Sequence, residues 1–157
     1  MKKYNPDKRV LKTKISFDEI RKHVPMITVD SAIFENNNIL LIKRATDPFK
    51  DSWALPGGFV ELGETLEQAV SRETKEGTGL VAVPLKLVGA YSDPKRDPRG
   101  HTISIAYLMK ITGGKIKTTG ESKETKYFST DNLPKNIAFD HKKIIEDAKK
   151  IHEKNCP

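Results

Sequence analysis

The chain has 157 residues with a formal net charge of +7 at pH 7, and Cys156 is its single cysteine. This length fits one domain with a hydrophobic core of its own, and a lone cysteine excludes an intrachain disulfide framework. Because the sequence has neither an apolar signal region nor an apolar run long enough to span a bilayer, we expect a soluble, cytoplasmic protein.

The positive charge is concentrated at the two ends of the chain. The lysines that crowd these ends are Lys2, Lys3, Lys8, Lys12 and Lys14, and then Lys142, Lys143, Lys149, Lys150 and Lys154. No basic stripe is interleaved with stacking aromatic residues, as proteins that bind single-stranded nucleic acid require. We therefore expect a solvated charged surface, with neither nucleic acid nor a membrane as a partner.

The first part of the chain divides into an arm and the start of a domain. Residues 1–24 are predicted to form a lysine-rich arm, in which Ser16 and Glu19 indicate a short capped helical turn. Residues 25–157 are predicted to form the domain. Two segments rich in β-branched residues, 26–34 and 39–43, are predicted to pair as a hairpin, and a short apolar segment follows at 53–55.

The second half of the chain predicts further strands and a closing helix. Residues 81–91 and 102–111 indicate two strands, Gly113 and Gly114 a turn, and 125–129 a last short strand. Asp140 is predicted to cap a helix with an apolar stripe, which includes Ile144 and Ile145. This order of elements predicts an α/β fold in which a mixed sheet carries a helix on each face.

The stretch from Leu55 to Leu80 organises the rest of the chain, because it joins a glycine-rich turn to an acidic helix. Thr65 and Gln68 form the pattern of a capping box, so the helix is predicted to begin near Leu66. Gly79 is predicted to end it.

Glu73 and Glu76 stand three residues apart in this predicted helix, so that their carboxylates are neighbours. Like charges at this spacing are mildly unfavourable unless a cation lies between them. A divalent metal would supply that cation, since Mg²⁺ prefers one or two carboxylates together with water and phosphate oxygens. A solvated acidic face balanced by Arg72 and Lys75 is the alternative, and the helix alone leaves both open.

The spacing around these glutamates completes a longer pattern. Gly58 is followed by Glu64 after five residues, by Arg72 and Glu73 after seven more, and then by Glu76, Gly79 and Leu80. This order resembles the Nudix box, G-x5-E-x7-R-E-U-x-E-E-x-G-U with U aliphatic. The resemblance implies an α/β/α sandwich with a mixed β-sheet and a metal-dependent hydrolase of nucleoside diphosphates linked to another moiety, with Mg²⁺ or Mn²⁺ as the cofactor.

The same resemblance assigns roles to individual residues. It implies a catalytic role for Glu64, Arg72, Glu73 and Glu76. It also implies that the Gly58 carbonyl, Glu73 and Glu76 hold the metal, together with Glu121 from a later loop. Glu124 is ranked below Glu121 and is expected at the surface.

Two positions depart from the box. Thr74 takes an aliphatic position, where a β-branched side chain can still pack inward. Gly77 takes the place of the second glutamate of the E-E pair, which in the family is usually a metal ligand. Glycine in a helix interior costs about 1 kcal/mol relative to alanine, and because Gly79 follows so closely, Gly77 is suited to begin the helix end. In either case one expected metal ligand is missing.

A proline-rich loop at residues 92–101 is the second informative stretch. We expect this loop at the surface, where Lys95, Arg96 and Arg99 make it positive. Arg96 and Arg99 suit a diphosphate through bidentate guanidinium contacts, and an ordinary polar loop is the alternative. The loop, and the segment 133–141, are similar to the ADP-ribose pyrophosphatase branch of the Nudix family, whose members often form dimers. The residues expected to bind substrate are Arg44, Phe59, Ser92, Arg96 and Arg99.

Four further side chains have two interpretations each. His101 and His141 are interpreted as loop and helix-cap residues, because neither has a second histidine at metal-ligand spacing. Trp53 and Phe59 are suited to stack on a base, although core positions are the default for such residues.

The sequence thus predicts a Nudix hydrolase that cleaves the pyrophosphate of ADP-ribose or a related nucleoside diphosphate derivative. Gly77 leaves open a binding module of the same fold with weakened catalysis. A hydrolase of damaged nucleoside triphosphates is a third hypothesis, which the 92–101 loop disfavours.

Overall fold

The structure is a computed structural model that describes residues 15–120 and 122–155. In these residues the helices are α1 (Phe17–Ile20), α2 (Leu66–Thr78) and α3 (His141–Asn155). The strands are β1 (Met26–Ala32), β2 (Phe34–Glu35), β3 (Asn38–Arg44), β4 (Trp53–Ala54), β5 (Gly57–Phe59), β6 (Leu80–Tyr91), β7 (Thr102–Gly114) and β8 (Ser122–Ser129).

The strands form two sheets. The first has the order β5-β1-β7-β6, with β1 parallel to β7 and its other pairs antiparallel. In the second, β3 pairs antiparallel with β2, β4 and β8. The predicted mixed sheet is therefore confirmed as the first sheet, and a smaller antiparallel sheet lies beside it.

The two long helices cover opposite faces of these sheets. Neighbouring residues of a strand point to opposite faces, so each strand contributes to two clusters. Val70 of α2 packs in one cluster with Val29 of β1 and Leu40 of β3. Ile144 of α3 packs in the other, which contains Leu41 of the same strand β3. This arrangement is the α/β/α sandwich that the resemblance implied.

The local signals around α2 are confirmed. Thr65 and Gln68 form both hydrogen bonds of a capping box, and α2 begins at Leu66. Gly79 ends the helix in the left-handed conformation at φ 80°, which glycine adopts without steric cost. The short helix α1 is also as predicted, because the Ser16 side chain accepts a hydrogen bond from the Glu19 N–H.

Two predictions of strand pairing are wrong. Residues 26–34 do not form a hairpin with 39–43, because β1 pairs with β5 and β7 and only the two-residue β2 forms the hairpin with β3. Gly113 and Gly114 do not turn the chain but continue β7 opposite Val81 and Leu80. A side chain at Gly114 would meet the Gly79 carbonyl oxygen at 2.5 Å, so glycine is needed for close packing there.

The N-terminal arm and the predicted division after residue 24 remain predictions, since residues 1–14 lie outside the described part. Cys156 lies outside it as well. In the helices that the structure describes, no segment has the length and apolar character needed to cross a membrane.

Candidate active site

Arg72 of α2 donates hydrogen bonds to three glutamates, Glu64 in the preceding turn and Glu73 and Glu76 in the helix. Its Nε and Nη2 donate to the Glu64 carboxylate at 2.6 and 3.0 Å, and Nη2 also donates to the Phe59 carbonyl at 3.0 Å. Hydrogen bonds to Glu64 and Glu73 raise the pKa of Arg72 further above its ordinary value, and the bond from Arg72 lowers the pKa of Glu64. The guanidinium fork thus joins α2 to the turn that precedes it.

The remaining nitrogen of Arg72 lies between the two neighbouring glutamates. Its Nη1 donates to Glu73 at 2.7 Å and to Glu76 at 3.1 Å. The cation that the sequence required between these carboxylates is therefore a side chain of the same helix. Glu73 is 8% exposed, whereas the Glu76 side chain is 49% exposed.

Two glycines of β5 bring the backbone against acidic side chains. A Cβ atom at Gly58 would lie 2.4 Å from the Glu73 carboxylate, and one at Gly57 would lie 2.5 Å from Asp30 Oδ1. Real Cβ atoms do not approach so closely, so glycine at position 58 allows the Glu73 carboxylate to lie there, while position 57 needs glycine also because a Cβ atom would lie 2.2 Å from the Val29 carbonyl oxygen. Gly58 and Glu73 are thus brought together as predicted.

The oxygens at this position fit a hard divalent cation. Glu73 and Glu76 offer carboxylates and Gly58 a backbone carbonyl, and Mg²⁺ needs few protein ligands because it keeps water and takes phosphate oxygens. Within the described residues, no group of three or more histidine, cysteine, aspartate or glutamate side chains is arranged around a metal position. Glu121 lies outside the described residues, so its predicted role as a ligand remains a prediction.

Gly77 lies in the last turn of α2 and is buried, so the helix does not end before it. An added Cβ atom would meet only Pro56 Cβ, at an ordinary contact distance of 3.9 Å. Its carbonyl accepts a hydrogen bond from Ser122 Oγ at 3.1 Å, which any residue can do. Steric crowding therefore does not require glycine at this position.

A cavity of about 470 Å³ opens beside the glutamates. The residues predicted from the sequence that line it are Arg44, Gly58, Phe59, Arg72, Glu73, Glu76, Arg96 and Arg99. Ser92 is exposed and lies away from this cavity, beside a smaller depression near Asp147. The cavity therefore combines an acidic end with a basic end.

The prediction that the 92–101 loop exposes its arginines is wrong for Arg96, whose side chain is 4% exposed. Arg96 donates to both oxygens of Asp140, at 2.9 and 2.6 Å. Asp140 precedes α3 as predicted, but its carboxylate binds Arg96 and ties the loop to the start of the helix.

Asp97 holds Arg99 in a similar way. Arg99 donates from Nε and Nη2 to the Asp97 carboxylate at 3.0 and 2.7 Å, and Asp97 is 3% exposed. Burial alone would raise the pKa of Asp97, but the hydrogen bonds from Arg99 outweigh it and the pKa lies below its ordinary value. Two ion pairs therefore fix the loop: Arg96–Asp140 attaches it to the residue before α3, and Arg99–Asp97 fixes the conformation within the loop.

Arg44, Arg99 and Phe139 form the basic end of the cavity. The Phe139 ring centroid lies 5.1 Å from the Arg44 guanidinium carbon and 5.7 Å from that of Arg99. Arg44 donates to the Pro48 carbonyl at 2.7 Å, and within the described residues no carboxylate forms an ion pair with it. Burial and the neighbouring charge of Arg99 lower the pKa of Arg44. This end is suited to an anion.

The two aromatic residues with open interpretations have separate outcomes. Trp53 is 6% exposed and belongs to the core, as the default predicted. Phe59 is half-buried and lines the cavity, with its ring centroid 5.4 Å from the Arg99 guanidinium carbon. Core packing was therefore the wrong default for Phe59.

Asp30, Asp97, Phe139 and His141 are among the cavity-lining residues to which sequence reasoning gave no binding role. Asp30 carried a signal, because it is a charged residue within the otherwise apolar strand β1. His141, interpreted as a helix-cap residue, begins α3 and is 4% exposed. His101 is a loop residue near the Ser92 carbonyl, and Glu124 is a surface residue paired with Lys126, as expected.

Comparison with known proteins extends this description. A family model described as NUDIX domain matches residues 24–148. The ADP-ribose pyrophosphatase of Methanocaldococcus jannaschii is 54% identical over 123 residues, which are 78% of this chain and 72% of that protein. The ADPR responsive transcriptional repressor NtrR of Acinetobacter baylyi is 35% identical over 132 residues, 79% of this chain and 53% of the repressor.

Among solved structures, the NUDIX domain of Shewanella oneidensis NrtR complexed with ADP ribose superposes with a TM-score of 0.71 at 26% identity. The match covers 94% of this chain and 99% of that domain. The Acinetobacter repressor is about twice as long as the segment that it shares with this chain, so its activity as a whole protein does not carry over.

Proposed function

Because this chain belongs to the NUDIX family, we propose that it hydrolyses the pyrophosphate bond of ADP-ribose or a related nucleoside diphosphate derivative. With ADP-ribose the products are AMP and ribose 5-phosphate. The relative from Methanocaldococcus jannaschii is named as an ADP-ribose pyrophosphatase and matches most of this chain, which supports this choice of substrate.

One observation carries the proposal, namely that a single cavity contains both a glutamate pair and two arginine guanidinium groups. Glu73 and Glu76 line one end, and Arg44 and Arg99 line the other. A diphosphate fits between them, because the arginines offer guanidinium donors and the carboxylates attract a cation that neutralises phosphate oxygens. All four of these residues were predicted from the sequence, and together they support hydrolysis of a diphosphate.

Mg²⁺ or Mn²⁺ is the proposed cofactor, held by Glu73, Glu76 and the Gly58 carbonyl. When bound, such an ion supplies positive charge against the diphosphate and makes water a stronger nucleophile. Gly77 leaves this set one carboxylate short of the family pattern, so we expect weaker metal affinity than the complete box would give.

The side chains have distinct tasks. Arg72 keeps the carboxylates of Glu73 and Glu76 aligned by the hydrogen bonds from its Nη1. Glu76 is the more exposed of the pair, so its carboxylate oxygens are suited to accept a proton from the attacking water. Arg44 and Arg99 are placed to stabilise the charge that develops on phosphate oxygens.

A substrate screen tests the proposal. Purified protein is incubated with ADP-ribose, other nucleoside diphosphate sugars and nucleoside triphosphates, each with Mg²⁺, with Mn²⁺ and with EDTA. We expect metal-dependent release of AMP from ADP-ribose at a higher kcat/KM than for any triphosphate. Preference for a triphosphate would instead favour the sanitising hydrolase.

Gly77 favours a second candidate, a module that binds ADP-ribose without cleaving it. The similarity to an ADPR responsive repressor supports ligand binding of this kind. Calorimetric binding of ADP-ribose without product release at saturating Mg²⁺ and Mn²⁺ would identify such a module. A homodimer and a cytoplasmic location remain predictions, which size-exclusion chromatography with light scattering and cell fractionation test.

A further inference from the structure

Asp30 is a buried carboxylate to which the proposed reaction assigns no role. It lies in the middle of β1, is 5% exposed and lines the active-site cavity. Ser104 donates its hydroxyl hydrogen to Asp30 Oδ2, and His141 Nε2 lies 3.4 Å from Oδ1. A buried carboxylate is costly unless hydrogen bonds compensate it, so its place in a strand requires an explanation.

His141 presents a hydrogen-bond donor to this carboxylate. Its Nδ1 accepts the backbone N–H of Leu55 at 3.0 Å, so Nδ1 carries no proton and the neutral ring carries its hydrogen on Nε2. Burial lowers the pKa of His141 and favours this neutral form. Ser104 and His141 therefore hold Asp30 from two sides in one orientation.

Asp30 also lies close to the expected position of the diphosphate. Gly57 pairs with Asp30 in the sheet, and a Cβ atom at Gly57 would lie 2.2 Å from the Val29 carbonyl oxygen and 2.5 Å from Asp30 Oδ1. The next residue, Gly58, makes room for Glu73. Since neighbouring strand residues face opposite sides, Asp30 and Glu73 flank β5 from its two faces.

A carboxylate has about four lone-pair sites and only accepts hydrogen bonds. Ser104 donates to one oxygen, His141 Nε2 lies 3.4 Å from the other, and the remaining lone pairs repel phosphate. A substrate group that contacts Asp30 in the cavity has to offer an O–H or N–H. In a nucleoside diphosphate sugar, the donors nearest the diphosphate are the ribose hydroxyls, whereas the base lies one sugar further away.

We propose that Asp30 is a specificity-determining residue that accepts a hydrogen bond from a ribose hydroxyl of the substrate. This inference rests on the proposed function, because the diphosphate between the arginines and glutamates places the sugar. It also accounts for the fixed ring of His141.

The test combines substrate analogues with protein variants, as in a double-mutant cycle. ADP-ribose is compared with two deoxy forms, each lacking both the 2′- and the 3′-hydroxyl of one ribose, and with the analogue in which hypoxanthine replaces adenine. For the native protein, kcat/KM should fall about 10- to 100-fold for one deoxy form, which is the effect of losing a hydrogen bond to a charged group. In Asp30→Asn that fall should shrink about five- to tenfold, because a neutral oxygen accepts more weakly.

Asp97→Asn is the matched control, because Asp97 is a second buried aspartate of the same cavity whose oxygens are both engaged by Arg99. It should lower kcat/KM equally for ADP-ribose and for its deoxy forms. If Asp30→Asn does the same, Asp30 is only structural and the proposal is overturned. If Asp30→Asn does not fold, Ser104→Ala takes its place and should reduce the same discrimination.

Two comparisons with the native protein decide the question independently of any variant. Equal turnover of ADP-ribose and both deoxy forms overturns the proposal, and so does a loss confined to the hypoxanthine analogue. Binding of the same ligands is measured calorimetrically in EDTA, which separates the two proposals. A discriminating binder that does not hydrolyse ADP-ribose refutes the proposed function alone, whereas absence of both binding and hydrolysis refutes both.

Discussion

Replacing Gly77 by glutamate restores the one carboxylate that the box lacks. The added Cβ atom meets only Pro56 Cβ at 3.9 Å, so the backbone of α2 accommodates it without strain. Glutamate is the better helix former by somewhat less than about 1 kcal/mol, which on its own would raise the melting temperature by roughly 2 to 4 °C for a domain of this size; repulsion from Glu73, one turn earlier, offsets part of that gain in EDTA. The propensity gain itself is independent of metal.

The second part of the effect appears only with a divalent cation. Position 77 follows Glu76 directly and lies one helical turn after Glu73, so the new carboxylate adds a ligand to the proposed metal position. An extra ligand is worth several kcal/mol of transition-state stabilisation, which corresponds to a rate increase on the order of 100-fold or more. Stabilisation by metal should increase as well, since the ion binds only the folded protein.

Two measurements separate these effects. Melting temperatures with EDTA and with a series of Mg²⁺ or Mn²⁺ concentrations give the propensity and the metal affinity, and kcat for ADP-ribose at saturating metal gives the catalytic gain. Gly77→Ala is the matched control, because alanine restores helix propensity without a carboxylate. A glutamate variant that melts higher in EDTA but is no faster than the alanine variant would refute the idea that position 77 limits the site.

Three further predictions follow from particular contacts. Glu76→Gln should lower metal affinity and kcat roughly 10- to 100-fold while the melting temperature in EDTA stays within a few degrees, and unchanged metal-dependent rates would remove Glu76 from the site. Arg44→Ala should raise KM roughly tenfold with little loss of stability. Arg96→Ala should instead lower the free energy of unfolding in urea by roughly 3 kcal/mol, because it breaks a largely buried ion pair. Equal losses of stability in the two variants would contradict this contrast. The pKa of Asp97 is lowered from its ordinary value of 3.8. The contribution of Asp97 to stability should therefore be complete above pH 3.8 and disappear as pH falls through the lowered pKa. In urea titrations across roughly pH 2 to 5, the free energy of unfolding should decline less steeply for Asp97→Asn than for the native protein.

The signals that succeeded at the sequence level are local ones. The capping box of Thr65 and Gln68 and the end of α2 at Gly79 depend on hydrogen bonds within a few residues of each other, so the sequence determines them directly. The proximity of Glu73 and Glu76 also follows from the sequence, because in a helix side chains three or four residues apart are neighbours.

Pairing between distant segments could not be predicted in this way. The two glycines of β5 give no strand signal, because they are needed for close contacts with other elements: Gly58 with the Glu73 carboxylate, and Gly57 with the Val29 carbonyl and Asp30 of β1. Arg96 looked like a surface residue, since its partner Asp140 belongs to a separate part of the chain. The same holds for Asp30 and His141, which meet only after α3 has packed across the sheets.

The structure also changes how the acidic pair should be understood. The sequence argument required a cation between Glu73 and Glu76, and Arg72 Nη1 fills that position without a metal. The need for a cation therefore does not by itself establish a metal site; the close approach of the Gly58 backbone to the Glu73 carboxylate and the family membership support it separately. Since Glu76 is half-exposed and Glu73 buried, Glu76 can leave Arg72 at little cost when a divalent ion binds. The metal dependence of the rate should accordingly report on Glu76, while the Arg72–Glu64 contacts keep the helix and the turn together throughout.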